Sequence, residues 1–210
     1  MNLAIIGASS GIGLNTVNLA LNKKHYITTL SRTTQTIPDN PFITKISGDA
    51  TISGDVKKAI SHADAVIISI GKRGRNNDPG TLFSKTAKAF LQAVNEINFT
   101  GAVFIVTGFG AGASGKYHNL IMKILFRLFL KNEYDDKTRM EKLLSESGIK
   151  WEIVRPGVLN DKPAIGNYKI YTELQKDMKI GTVSRHDVAT FLLDQAENPT
   201  YLGRYVSLTN

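Results

Sequence analysis

The chain contains no cysteine, which excludes disulfides, thiolate metal sites and cysteine nucleophiles. Histidine is scarce. His25, His62, His118 and His186 are scattered without metal-ligand spacing, so no metal is expected. No apolar run approaches the length needed to cross a bilayer. The N-terminus leads directly into a strand pattern, without a basic region, apolar segment and cleavage site. No signal peptide is read there, and a cytoplasmic protein is expected. Acidic residues are outnumbered, 18 against 26 Lys and Arg, for a formal charge of +8. Such an excess suits nucleic acid, an anionic membrane or a pocket for a polyanionic cofactor. The basic residues are spread along the chain and no nucleic-acid motif appears, so nucleic acid is disfavoured. Repeats and low-complexity tracts are also missing.

What is present fits one α/β domain. A length of 210 residues buries a substantial core, and 42% hydrophobic content is ordinary for a globular protein. The most informative stretch is the first glycine-rich turn. The apolar run Leu3 to Ile6 is followed at once by Gly7-Ala8-Ser9-Ser10-Gly11-Ile12-Gly13, and a helical pattern runs from about Leu14 to Asn22. Strand, tight turn and helix opening form the context that a dinucleotide-binding turn requires. Gly7 permits the turn out of the strand, Gly11 lets the backbone approach a pyrophosphate, and Gly13 lets the helix pack close to the sheet. The anion is expected at the helix N-terminus, where unpaired N–H groups and the positive dipole end meet it. An ordinary strand-to-helix turn is the alternative.

The second strand, His25 to Leu30, ends at Ser31-Arg32-Thr33. At this position an acidic residue would bind the ribose 2′-hydroxyl and repel a 2′-phosphate. Arg32 instead offers a guanidinium that pairs bidentately with phosphate, which favours NADP(H); a solvent-facing loop arginine is the alternative. A third strand from Phe42 to Ser47 precedes Gly48-Asp49-Ala50, where a carboxylate suits the adenine amino group or, alternatively, caps the next helix (Gly54 to His62). The apolar run Ala63 to Gly71 reads as a strand buried on both faces, with Ser69 and Gly71 at its ligand-binding carboxyl end. Lys72 to Arg75 is a basic loop that suits phosphates or simply faces solvent.

Further on, Thr81 to Asn95 is helical, Gly101 to Thr107 a strand, and Gly108 to Gly115 a second glycine-rich stretch. His118 to Lys131 is apolar with Lys123, Arg127 and Lys131 in one stripe, which suits packing in the fold or between subunits, and less often a membrane surface. A helix opens at Tyr134-Asp135-Asp136-Lys137 and closes near Glu146, with Lys137 and Glu141 on one face. Trp151 to Val154 is a strand leading into Arg155-Pro156-Gly157. A polar segment around 157–182 is expected to bind substrate. Helix His186 to Glu197 and strand Tyr205 to Leu208 complete the chain. The alternation specifies a doubly wound parallel sheet in a single domain.

Taken in order, the first turn, Arg32, Gly48-Asp49, Ser69 to Gly71, Arg155-Pro156-Gly157 and the helix start Ser184 to Ala189 resemble a short-chain dehydrogenase/reductase over nearly the whole chain. The short length and the Lys137 to Glu141 stretch are similar to its atypical NAD(P)H-binding branch, that of NmrA-like proteins and biliverdin IXβ/flavin reductases. The resemblance implies a Rossmann core holding NADP(H) and nicotinamide lined by the backbone of Pro156, Gly157 and Val158. It also implies that Lys137 contacts the nicotinamide ribose.

Two departures bear on chemistry. The tyrosine usual in that family, four residues before the lysine, is replaced by Glu133, and Tyr134 is one place out of register. The family's serine after the fifth strand is replaced by Gly108, with Thr107 beside it. A carbonyl reductase needs a proton donor for the developing alkoxide. Hydride transfer to a flavin, quinone or bilin-like acceptor is less demanding, because charge is delocalised and water can deliver the proton. The expected activity is therefore NADPH-dependent reduction of a conjugated small-molecule acceptor. Lys137, Tyr134 and Thr107 are the catalytic candidates, and Phe109 and His118 are candidates for the acceptor site. A non-catalytic NADP(H) sensor is the other reading, and a second copy of the chain is a candidate partner.

Overall fold

The computed structural model describes residues 1–71, 80–117, 130–175, 178 and 180–210. Lys72 to Arg75, His118, and the Lys123 and Arg127 part of the basic stripe lie outside the described residues. The strands are β1 (Asn2–Ile6), β2 (Tyr26–Ser31), β3 (Ile43–Ser47), β4 (Ala65–Ile68), β5 (Ala102–Val106), β6 (Lys150–Pro156), β7 (Val158–Asn160), β8 (Lys169–Tyr171), β9 (Thr182–Ser184) and β10 (Tyr205–Thr209). The helices are α1 (Gly11–Asn22), α2 (Ser53–Ile60), α3 (Leu82–Ile97), α4 (Lys131–Ser145) and α5 (Arg185–Glu197), with a short 3-10 stretch at Gly112–Tyr117.

Eight strands form one sheet in the order β3-β2-β1-β4-β5-β6-β10-β8, and β7 pairs with β9 in a small parallel sheet of their own. Every pairing in the large sheet is parallel except that of β10 with β8. The expected doubly wound α/β sheet is therefore present, with one antiparallel edge strand added by the 157–182 segment. All of β4, Ala-Val-Ile-Ile, is buried, as befits a parallel strand covered on both faces.

Alternate residues of the strands feed two apolar layers. On one side Leu3, Ile5, Phe104 and Val154 pack with Val17 of α1 and Leu192 of α5. On the other, Ile6, Val66, Ile105 and Ile153 pack with Val56 of α2, Phe90 of α3 and Met140 of α4. Both ends of α5 are tied down. Lys23, just past α1, pairs with Asp194 and Glu197 at 3.1 and 2.8 Å. At the other end Ser184 and Asp187 form a reciprocal cap: the Asp187 N–H donates to Ser184 Oγ at 2.9 Å and the Ser184 hydroxyl donates to Asp187 Oδ2 at 2.7 Å. Among the described residues no helix is long and apolar enough to cross a membrane.

Candidate functional site

Strand order reverses at β1, which has β2 on one side and β4 on the other, and open α/β sheets bind ligands outside the strand ends at such a point. The turn after β1 is built there. Gly7 N–H donates to the Leu30 carbonyl at 2.9 Å and Ser69 N–H to the Ile6 carbonyl at 2.8 Å. Gly7 has φ 89°, and a Cβ on it would stand 2.3 Å from the Ser69 carbonyl oxygen. A Cβ on Gly13 would stand 2.2 Å from the Gly7 carbonyl oxygen. Both positions therefore need glycine for packing within the turn. Gly11 differs, because the nearest atoms to its missing Cβ are the Cδ and Nε of Arg185 at 3.5 and 3.7 Å. A side chain there would meet only that flexible arginine in ordinary contact, although the positive φ of 54° still favours glycine. Ser10 enters α1 in extended conformation, makes no side-chain cap, and no acidic residue follows in the first turn. The leading N–H groups of such a helix have no carbonyl partners within it.

A cleft of about 440 Å³ opens over this turn. Gly7, Ser9, Ser10, Arg32, Asp49, Ala50, Ser69 and Gly71 line it, as do Leu30, Ser31, Thr33, Gly48, Ile70 and Leu82. Arg32 is exposed at the end of β2, and no carboxylate pairs with it among the described residues. Asp49 is partly committed locally: its Oδ1 accepts from both the Thr51 N–H and the Thr51 hydroxyl at 2.8 Å. Ile12 and Gly13 lie under the turn, buried.

A second cluster lies at the ends of β5 and β6. Thr107 donates its hydroxyl to Glu141 Oε1 at 2.7 Å. Arg155 grips the same carboxylate with two bonds, Nε to Oε1 at 3.0 Å and Nη2 to Oε2 at 2.6 Å. Arg155 and Glu141 are 3% and 2% exposed, and the guanidinium lies 4.1 Å from the centre of the Tyr205 ring. Gly112, with φ 55°, makes room, since a Cβ there would be 2.7 Å from both members of the pair. Of the two carboxylates one helical turn from Lys137, Glu133 and not Glu141 is its partner. The Lys137 Nζ pairs with Glu133 at 2.8 Å and lies over the rings of Phe83 and Tyr134 at 5.0 and 4.6 Å. Phe83 itself is buried, next in sequence to Leu82 of the cleft wall. The Tyr134 hydroxyl lies 2.9 Å from where a Gly108 Cβ would be, and burial pushes its phenol up to about 12. Phe109 is 3% exposed and its N–H donates to the Pro156 carbonyl at 2.8 Å. Gly157 is pressed against the Gly181 carbonyl, whose oxygen would stand 2.5 Å from a Cβ at this position, while Val158 is 53% exposed.

The family model described as NAD(P)H-binding matches residues 7–199. The chain belongs to this NAD(P)H-binding family. An uncharacterized sugar epimerase of Bacillus subtilis is 25% identical over 216 residues, spanning 100% of this chain and 94% of that protein. A short-chain dehydrogenase/reductase from Veillonella parvula, solved in complex with NADP, superimposes with a TM-score of 0.84 at 20% identity over 100% of this chain and 94% of that one. An anaerobillin reductase, ChuY, from Escherichia coli O157:H7 gives 0.81 at 22% identity over 100% and 97%. Those two structures share the fold.

The acid-free start of α1 and an Arg32 that no described carboxylate holds are compatible with the NAD(P)H-binding family. Two features of the site are not anticipated from the sequence. One is the buried Arg155–Glu141 pair, although a charged residue inside an apolar strand signals a partner, because a lone buried charge is too costly. The other is Arg185, which no local pattern connects to the turn at Gly11.

Proposed function

We propose that the protein is an NADPH-dependent oxidoreductase acting on a flat, conjugated acceptor such as a flavin, a quinone or a bilin-like molecule. The observation that carries this reading is the state of the candidate proton donors. Thr107 spends its hydroxyl proton on Glu141, Lys137 is held by Glu133, and the Tyr134 phenol is a weaker acid than usual. An alkoxide would find no ready proton at these groups, whereas a delocalised acceptor takes its proton from water. The resemblance of the fold to an anaerobillin reductase supports a conjugated acceptor.

When bound, the reduced nicotinamide supplies the hydride. Gly7, Ser9, Ser10, Gly11, Ile12 and Gly13 form the diphosphate turn in this reading. Arg32 selects the 2′-phosphate, Asp49 and Ala50 border the adenine, and Ser69 and Gly71 line the middle of the cleft. Lys137 orients the nicotinamide ribose, with Thr107 and the backbone of Pro156, Gly157 and Val158 beside the ring. The buried Arg155–Glu141 pair fixes the rotamer of Thr107, so it is a positioning element.

Steady-state oxidation of NADPH and NADH with flavins, quinones, bilins and simple ketones tests the reading. Turnover with conjugated acceptors and none with ketones is expected, with Arg32→Gln raising KM for NADPH but not for NADH. Tight NADPH binding with no turnover on any acceptor would replace the enzyme with a redox sensor.

A further inference from the structure

α1 and α5 lie side by side, and at their N-terminal ends Arg185 meets Gly11. Its Cδ and Nε stand 3.5 and 3.7 Å from the position of a Gly11 Cβ, on the face of the turn that the glycine leaves bare. Arg185 is the first residue of α5, and its backbone is held on every side. The Ser184–Asp187 cap fixes the helix start, and Asp187 also accepts from the Ile165 and Gly166 N–H groups at 3.1 and 3.0 Å. A cation in the first turn of a helix opposes the macrodipole, and here a second helix presents its positive end to the same place. Asp187 in the same first turn offsets part of this, but its carboxylate is committed to the Ser184 hydroxyl and the Ile165 and Gly166 N–H groups. The counter-ion present is a weak one. Arg185 Nη1 donates to Asp161 Oδ1 at 2.9 Å, but the Asp161 side chain is 84% exposed, on the polar segment after β7, while that of Arg185 is 29% exposed. An exposed pair of this kind contributes little and is readily exchanged.

We infer that Arg185 is a phosphate-gripping residue of the nucleotide site, and that it exchanges Asp161 for the diphosphate of the bound cofactor. This deepens the proposed function and rests on its placement of the diphosphate at Gly11. Arg32 and Arg185 then divide the work. The first reads the 2′-phosphate, which only NADPH carries. The second holds the diphosphate, which NADPH and NADH share. Asp161 is the internal competitor, so removing its charge helps the cofactor in.

Calorimetric titration of the full chain with NADPH and NADH tests the exchange. Arg185→Gln is expected to weaken both cofactors by the same factor, about ten- to a hundredfold, as for loss of a charge-assisted bond. Arg185→Lys is expected to recover part of that loss. Asp161→Asn is expected to tighten both cofactors by roughly two- to tenfold, and to have no effect when Arg185 is already glutamine. The tightening is the decisive readout, because a merely structural ion pair would not produce it; thermal melts of each variant report folding separately. If Arg185→Gln binds both cofactors as the wild type does, or Asp161→Asn leaves affinity unchanged, the inference is overturned. If the wild type itself binds neither cofactor, it is the cofactor reading that fails.

Discussion

The most exposed test of this structure concerns a carboxyl group that is not exposed at all. Glu152 lies in β6, opposite Phe104 of β5, with no accessible surface. Neither of its oxygens has a hydrogen-bond partner among the described residues. Burial pushes its carboxyl from 4.5 up to about 8, so at neutral pH it is held chiefly as the neutral acid. Its folded-state value lies above the unfolded one, so the folded chain binds the extra proton between the two. Stability is therefore fully present below the unfolded value and declines as pH rises through the folded one. At about 1.4 kcal/mol per pKa unit, the loss across the window is on the order of 4 kcal/mol. Glu152→Met keeps an unbranched side chain of similar size and removes the titration. Urea unfolding of both proteins at about pH 5 and about pH 9 isolates the effect, since every other titrating group is common to the pair. The Met variant is expected to gain on the wild type by roughly 4 kcal/mol between those conditions. Parallel pH dependence of the two proteins would refute the reasoning.

The other predictions concern the turn, the buried pair and the cap. Glu141→Ala leaves Arg155 buried without its counter-charge and is expected to cost about 3–5 kcal/mol in urea unfolding, whereas the double change Glu141→Leu, Arg155→Met recovers much of it. Gly13→Ala forces a methyl to within 2.2 Å of the Gly7 carbonyl, so cofactor titration is expected to show lost affinity and melting a lowered midpoint. Ser184→Ala removes the acceptor of the Asp187 N–H and is expected to cost about 1 kcal/mol of stability.

The order of strands and helices was legible from the amino acids, because apolar runs and amphipathic periods are local properties. The strand, turn and helix opening at Gly7 to Gly13 was legible too, since glycine spacing after a strand is a contiguous signal, and so was the place of Arg32 at the end of β2. Boundaries shifted where neighbours decide them: β6 extends through Pro156 because β10 pairs with it, and α4 begins at Lys131 rather than Tyr134. The partners of charged side chains were decided only in three dimensions. Lys137 and Glu141 sit one helical turn apart, yet Lys137 pairs with Glu133, while Glu141 pairs with Arg155, which arrives from another strand and is buried with it. In β6 itself, Glu152 and Arg155 are three residues apart and so emerge on opposite faces of the sheet, where Arg155 finds a carboxylate and Glu152 finds no hydrogen-bond partner among the described residues. Arg185 meets Gly11 because two parallel helices lie side by side on the same face of the sheet. Periodicity along the chain sets which face a residue takes; only packing brings distant faces together, and the charges of this site are matched there.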